Sequence, residues 1–159
     1  MQPKHTILVI DDDIAELGIM TTVLSAAGFR VLVAEDGESG VNYAIFARPD
    51  LILLDVMMPG LNGYETCEKL RSHKRTENIP IFFKTCLGDK QTTYIKGFRA
   101  GVDRIIAKPC DHDQLLLQIN SRLDAAQSGY LIKTRFQLLA QSVYQELPAI
   151  LFCLQLINA

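Results

Sequence analysis

The chain has 159 residues, with 16 basic and 18 acidic side chains and a formal net charge of −2. This length suits one ordinary domain with a short appendage. The balance of charge excludes a basic field that would draw the chain to nucleic acid or anionic lipid. The four cysteines lack metal-ligand or disulfide spacing, as is typical of free thiols in a reducing cytoplasm. No apolar run reaches the about 20 residues of a membrane span, so we expect a cytoplasmic protein.

Five short apolar segments alternate with five segments of helix length. The predicted strands are 6–10, 30–34, 50–54, 79–83 and 103–107, and the predicted helices are 14–27, 37–47, 64–72, 90–100 and 113–126. Asp13, with Glu16 three residues later, predicts a capping box at the first helix. Alternating strands and helices, with strands that are nearly continuous apolar runs, are typical of a parallel sheet covered on both faces. We therefore predict a doubly wound α/β fold.

Polar side chains lie at the ends of four of these strands. They are Asp11, Asp12 and Asp13 after the first strand, Asp55 after the third, Thr85 at the fourth and Lys108 after the fifth. Ligands of open parallel sheets bind at the carboxyl ends of the strands. Carboxylates gathered there repel unless they share a cation, and such hard oxygen ligands suit Mg²⁺. An added lysine and hydroxyl would hold a tetrahedral anion, so the pattern indicates that Asp55 itself is phosphorylated.

The chain resembles the receiver domain of two-component response regulators, of the chemotaxis-regulator kind, over about residues 5–126. The motifs that carry the resemblance are, in chain order, Asp11-Asp12, Asp55 with Met58-Pro59 and Gly63, Thr85, and Lys108-Pro109. The resemblance implies a flavodoxin-like (βα)5 fold with the parallel strand order 2-1-3-4-5. It also implies a receiver domain at residues 1–126.

The resemblance further implies a role for each residue of this edge. Asp55 would be the phospho-acceptor, and Thr85 and Lys108 would bind the phosphoryl group. The implied Mg²⁺ ligands are Asp12, Asp55, the backbone carbonyl of Met57 and, through water, Asp11. The peptide bond between Lys108 and Pro109 would be cis. The phosphate donor would be a histidine kinase or phosphotransfer protein, and the chain would at most phosphorylate itself, without being a turnover enzyme.

Several positions depart from the family pattern. Ile105 stands where a switching Tyr or Phe is usual. Lys84 replaces a commonly apolar residue, and we interpret it either as a solvated strand end or as unusual chemistry on the face of the fourth helix, fifth strand and fifth helix. These departures leave open a pseudo-receiver, a binding or scaffold module that works without phosphorylation. Met57 and Leu87, which border the path of the hydrolytic water in this family, are apolar, so we expect slow dephosphorylation.

Residues 127–159 lie outside the resemblance and form a predicted helical tail. Apolar residues recur there at steps of three and four, apart from a gap at Glu146, as in a heptad-like seam, and Pro148 should kink or end the helix. We interpret the seam as a homodimer or docking surface, with packing against the receiver as the alternative. The tail is short, weakly basic and without histidine. We therefore expect no DNA-binding domain, and output through a downstream protein partner.

Overall fold

The computed structural model describes residues 5–86 and 90–127. Its strands are β1 (Thr6–Ile10), β2 (Arg30–Ala34), β3 (Leu51–Asp55), β4 (Ile81–Thr85) and β5 (Arg104–Ala107). Its helices are α1 (Ile14–Ala26), α2 (Gly37–Ala47), α3 (Gly63–Ser72), α4 (Lys90–Ala100) and α5 (His112–Gln127). The compact unit that carries this fold ends at Leu123. The seam predicted in the tail lies outside the described residues.

All five strands are parallel, in the order β2-β1-β3-β4-β5, which confirms the predicted doubly wound fold. Side chains that alternate along β1 enter two core layers: Ile7 and Val9 pack toward α1 and α5, whereas Leu8 and Ile10 pack toward α2, α3 and α4. Burial of one aliphatic side chain contributes about 1.5–3 kcal/mol. Both faces of the central strands are covered in this way, which explains their continuous apolar sequence. Among the described residues, no helix is long and apolar enough to cross a membrane.

Two strands lie further along the chain than predicted. The third begins and ends one residue later, because its pairing with β1 starts at Leu51. The fourth begins and ends two residues later, because its pairing with β3 starts at Ile81. Pro80 precedes this ladder and contributes only its carbonyl, which accepts a 2.9 Å hydrogen bond from the Ile52 amide. The shift makes Asp55 and Thr85 the last residues of their strands. Both side chains are therefore placed by sheet geometry.

The predicted capping box of α1 is only half correct. Asp13 is the N-cap, and its side chain accepts hydrogen bonds from the amides of Ala15 and Glu16. The Glu16 side chain, however, pairs with Lys84 of β4. A complete capping box occurs at α3, between Asn62 and Glu65.

The amino edge of the sheet is held by a cluster of ion pairs around Asp103. One carboxylate oxygen accepts from Arg71 Nη2 at 2.8 Å and from the Ile81 amide at 2.9 Å. The other accepts from Arg122 Nη2 at 3.4 Å. These contacts join α3, β4 and α5 at the end of the sheet opposite the predicted site.

Gly63 permits close contact between the start of α3 and the end of β3. A Cβ atom there would lie 2.4 Å from the Asp55 carbonyl oxygen and 2.6 Å from the Val56 Cα. We expect Gly63→Ala to lower the free energy of unfolding by about 1–3 kcal/mol, as overpacking does. The measurement is urea denaturation.

Gly18 provides the matched control, because a Cβ atom there meets no atom within 4 Å. Gly18→Ala should raise the free energy of unfolding by up to about 1 kcal/mol, since alanine is the better helix former. Equal effects of the two substitutions would contradict the steric role of Gly63.

Candidate functional site

The polar residues predicted at the strand ends converge at the carboxyl edge of the sheet. Asp11 follows β1, and Asp55 ends β3, which is the neighbouring strand. Thr85 ends β4, the strand on the other side of β3, and Lys108 follows β5. Parallel pairing in this order brings all four to one edge of the sheet.

Three carboxylates form the acidic part of the site. One oxygen from each of Asp11, Asp12 and Asp55 can be chosen so that all three lie within 4.8 Å of one another. Asp11 and Asp55 are buried, at 2% and 6% exposure, whereas Asp12 is exposed. Three hard oxygen ligands with one side open to water fit Mg²⁺, which retains part of its water shell. Asp13, in contrast, caps α1.

Lys108 joins two of these carboxylates. Its Nζ lies 3.0 Å from Asp11 Oδ2 and 3.0 Å from Asp55 Oδ1. Burial alone lowers the pKa of Lys108, but its hydrogen bonds to Asp55 and Asp11 outweigh this effect and raise the pKa above its ordinary value. The ammonium therefore stays charged at neutral pH. The Lys108 amide donates to the Thr85 carbonyl at 2.9 Å, and the Lys108–Pro109 peptide bond is cis.

The Asp55 carboxylate is costly to ionise in this pocket. Burial raises its pKa, the hydrogen bond and charge of Lys108 partly offset that effect, and the charges of Asp11 and Asp12 raise it further. A divalent cation would relieve the same repulsion. The site therefore combines a carboxylate whose charge Lys108 partly neutralises with donors for an anion.

Thr85 and Met57 flank Asp55 in different environments. Thr85 is 2% exposed, and its hydroxyl donates a 3.4 Å hydrogen bond to the Cys86 carbonyl. A bond of this length is weak, so the hydroxyl can turn toward a stronger acceptor. Met57 is 74% exposed. Its thioether is a soft ligand, so only its backbone carbonyl suits Mg²⁺. Leu87 lies outside the described residues.

Ile105, at the usual switch position, is half-buried and packs against the core layer under α4. A Cβ atom on Gly97 of that helix would lie only 2.9 Å from Ile105 Cδ1. The side chain therefore sits tightly below α4, and it carries no hydroxyl.

One interpretation of Lys84, the solvated strand end, is wrong, because its side chain is 2% exposed and its Nζ pairs with Glu16 of α1. The side chain lies on the sheet face that α1 and α5 cover, away from α4. Sequence reasoning missed Glu16 as the partner, although a lysine within the run IFFKT must find one, because a buried unpaired charge is very costly.

The sheet order and the acidic pocket define a chemotaxis-regulator-like α/β domain. The profile of the response regulator receiver domain matches residues 7–120, and the chain belongs to this family. Receiver domains are signalling modules of two-component response regulators, which confirms the resemblance seen in the motifs.

Two relatives show different contexts for this domain. Protein PilH of Pseudomonas aeruginosa is 38% identical over 117 residues, which cover 74% of this chain and 96% of PilH. The DNA-binding dual master transcriptional regulator RpaA of Synechocystis is 39% identical over 117 residues, covering 74% of this chain and 48% of RpaA. The chain thus spans about half the length of RpaA.

Solved structures agree with this assignment. A CheY-like receiver domain protein from Methanospirillum hungatei has a TM-score of 0.72 and 27% identity, and the match covers 79% of this chain and 98% of that one. The receiver domain of a sensor histidine kinase from Pseudomonas aeruginosa PAO1 has a TM-score of 0.69 and 26% identity, with 76% and 98% covered. That domain was solved with a magnesium ion coordinated in its active site cleft.

The raised pKa of Asp55 predicts a pH-dependent gain in stability for Asp55→Asn without Mg²⁺. At a pH above its raised pKa, ionised Asp55 destabilises the folded state. This loss of stability vanishes when the pH falls below 3.8, the ordinary pKa of an aspartate. The variant should therefore unfold at higher denaturant than the wild type at pH 7. The difference should shrink toward zero as the pH falls below about 4. Denaturant titrations from pH 3 to 8 measure it.

Asp36→Ala is the control of opposite sign. The amide and hydroxyl of Ser39 donate hydrogen bonds to Asp36 and lower its pKa. Asp36 stabilises the folded state at a pH above its ordinary pKa of 3.8, and this stabilisation is lost as the pH falls through the lowered pKa. Asp36→Ala should thus be less stable than the wild type at pH 7. A pH-independent Asp55→Asn difference would contradict the assignment.

Proposed function

We propose that the chain is a phospho-acceptor of a two-component phosphorelay and that Asp55 is the phosphorylated residue. The observation that carries this proposal is the placement of Asp55 between two acidic neighbours and Lys108, at the carboxyl edge of the sheet. The donor is a phosphohistidine of a histidine kinase or a phosphotransfer protein.

The transfer begins with a carboxylate oxygen of Asp55, which attacks the phosphorus atom. A new P–O bond forms while the P–N bond to the donor imidazole breaks, and the bonding electrons return to the imidazole nitrogen. The product is an acyl phosphate, which adds nearly two negative charges by analogy with other phosphorylated side chains. Lys108 stays protonated and pairs with the new phosphoryl oxygens.

The acidic cluster holds Mg²⁺ in this proposal. Asp12, Asp55 and the backbone carbonyl of Met57 would hold the ion directly, and Asp11 would hold it through water. Bound there, Mg²⁺ would supply positive charge beside the transferring phosphoryl group. Thr85 donates its hydroxyl to a phosphoryl oxygen in place of its weak bond to Cys86.

Output in this proposal is a protein contact. The tail, residues 127–159, supplies a homodimer seam or a docking surface for a downstream partner. The charge added at Asp55 biases this contact by favouring one of two arrangements.

Intact-mass spectrometry after incubation with Mg²⁺ and acetyl phosphate tests the acceptor. The wild type should gain the mass of one phosphoryl group, and Asp55→Asn should gain none, because an amide oxygen is too weak a nucleophile. Asp50→Asn is a matched control on the opposite edge of the sheet, and it should gain phosphate like the wild type.

Each sample is also run on size exclusion with light scattering. A larger assembly that forms only with phosphate would support the tail as a controlled dimer seam. A wild type that gains no phosphate would instead make the chain a pseudo-receiver, with the acidic pocket acting as a fixed binding surface.

The apolar, exposed Met57 predicts a long-lived acyl phosphate, because its side chain cannot position or deprotonate a water molecule. We expect a lifetime far longer than seconds. Met57→Asn should shorten the lifetime by about tenfold, less than a proton-transfer group would, because an amide orients a water molecule without accepting its proton.

The lifetime is measured as the loss of phosphorylated mass with time after the donor is removed. Leu117→Asn, at another exposed apolar position, should leave it unchanged. A wild-type lifetime of seconds would contradict the prediction.

A further inference from the structure

Lys84 and Glu16 form an ion pair directly beside the candidate site. The Lys84 side chain is 2% exposed and the Glu16 side chain is 25% exposed. The ammonium group is therefore removed from water, and most of the Glu16 side chain is covered as well. Charges are rarely buried unless their placement matters, because an apolar pair of similar volume is often as stable. The pair therefore calls for an explanation in terms of geometry.

The position of Lys84 ties it to Asp55. The two residues are register partners in the parallel β3–β4 pair, and the Val56 amide donates to the Lys84 carbonyl at 3.3 Å. Register partners project to the same face of a sheet. The Lys84 side chain thus starts next to the phospho-acceptor and extends toward α1.

The position of Glu16 ties it to the acidic loop. Glu16 lies in the first turn of α1, and its amide donates to the N-cap, Asp13. The Asp13 amide in turn donates to Asp11 Oδ1 at 3.0 Å. A short chain of contacts therefore joins Glu16 to the loop that carries Asp11 and Asp12.

We infer that Lys84 and Glu16 are positioning residues for the Mg²⁺ site, an inference that rests on the function proposed above. The loop of Asp11 and Asp12 is anchored at one end by β1. At its other end, the pair anchors the first turn of α1 to β4, the strand beside Asp55. The pair thereby fixes the separation between Asp12 and Asp55, the two carboxylates that approach the metal from different strands.

The pair also determines the charge beside Asp55. While Glu16 neutralises it, the Lys84 ammonium cannot turn toward Asp55 and compete with a divalent cation. Removal of Glu16 alone should therefore harm metal binding in two ways, because the loop is released and a buried cation is left beside the acceptor. Removal of Lys84 alone should release the loop without adding a competing cation.

The test is a titration of the full chain with MgCl₂, followed by backbone amide NMR. Glu16→Gln should weaken Mg²⁺ binding by about tenfold or more, the range seen when partners that orient metal ligands are removed. Lys84→Met should weaken it less. The double variant Glu16→Met with Lys84→Met should recover stability against urea but should still bind Mg²⁺ more weakly than the wild type.

Asp103→Asn separates positioning from general destabilisation. It removes a carboxylate of a buried ion pair at the opposite edge of the sheet, so it should lower stability while leaving Mg²⁺ affinity within about twofold of wild type. If the wild type binds Mg²⁺ and Glu16→Gln binds it equally tightly, the inference is overturned, while the metal site proposed above stands. A wild type that binds no Mg²⁺ would overturn both the inference and the metal site proposed above.

Discussion

The contact of Lys108 with two carboxylates is the interaction on which the site depends. Asp11 and Asp55 come from neighbouring strands that must end together, because the parallel register fixes where each strand stops. Their charges would repel without a cation, and the ammonium 3.0 Å from each provides one. Lys108 follows β5, so its position depends on β5 lying beside β4, on the side away from β3. The strand order is therefore a condition of the chemistry.

Stability and chemistry are opposed at Asp55. Asp55 is 6% exposed and its carboxyl has a raised pKa, so its ionised form destabilises the folded state. The fully apolar run Leu51–Leu54 that precedes it stabilises the same strand through burial on both faces. A strongly buried central strand can thus hold a residue that an edge strand would expose. Partial neutralisation by Lys108 leaves the carboxylate able to attract a further cation.

Much of this arrangement could be predicted from the sequence, because chain-local patterns encode it. The bounds of α2 and α4 agree with their predicted ranges, and the end of each apolar run locates Asp11 and Lys108. The shift of β4 was missed because its register is set by pairing with β3, which no local pattern contains. Glu16 was missed for a related reason. Its spacing from Asp13 favours a capping box, whereas its partner Lys84 lies 68 residues away along the chain.

The ion pair of Lys84 and Glu16 leaves the net charge of the site unchanged. When all groups are ionised, the carboxylates of Asp11, Asp12 and Asp55 with the ammonium of Lys108 leave two negative charges, which suits a divalent cation. Lys84 alone would halve that charge, and Glu16 alone would increase it. Only the two together preserve it. Replacing one of the two by a neutral residue therefore keeps the charge of the site only when the other is made neutral as well.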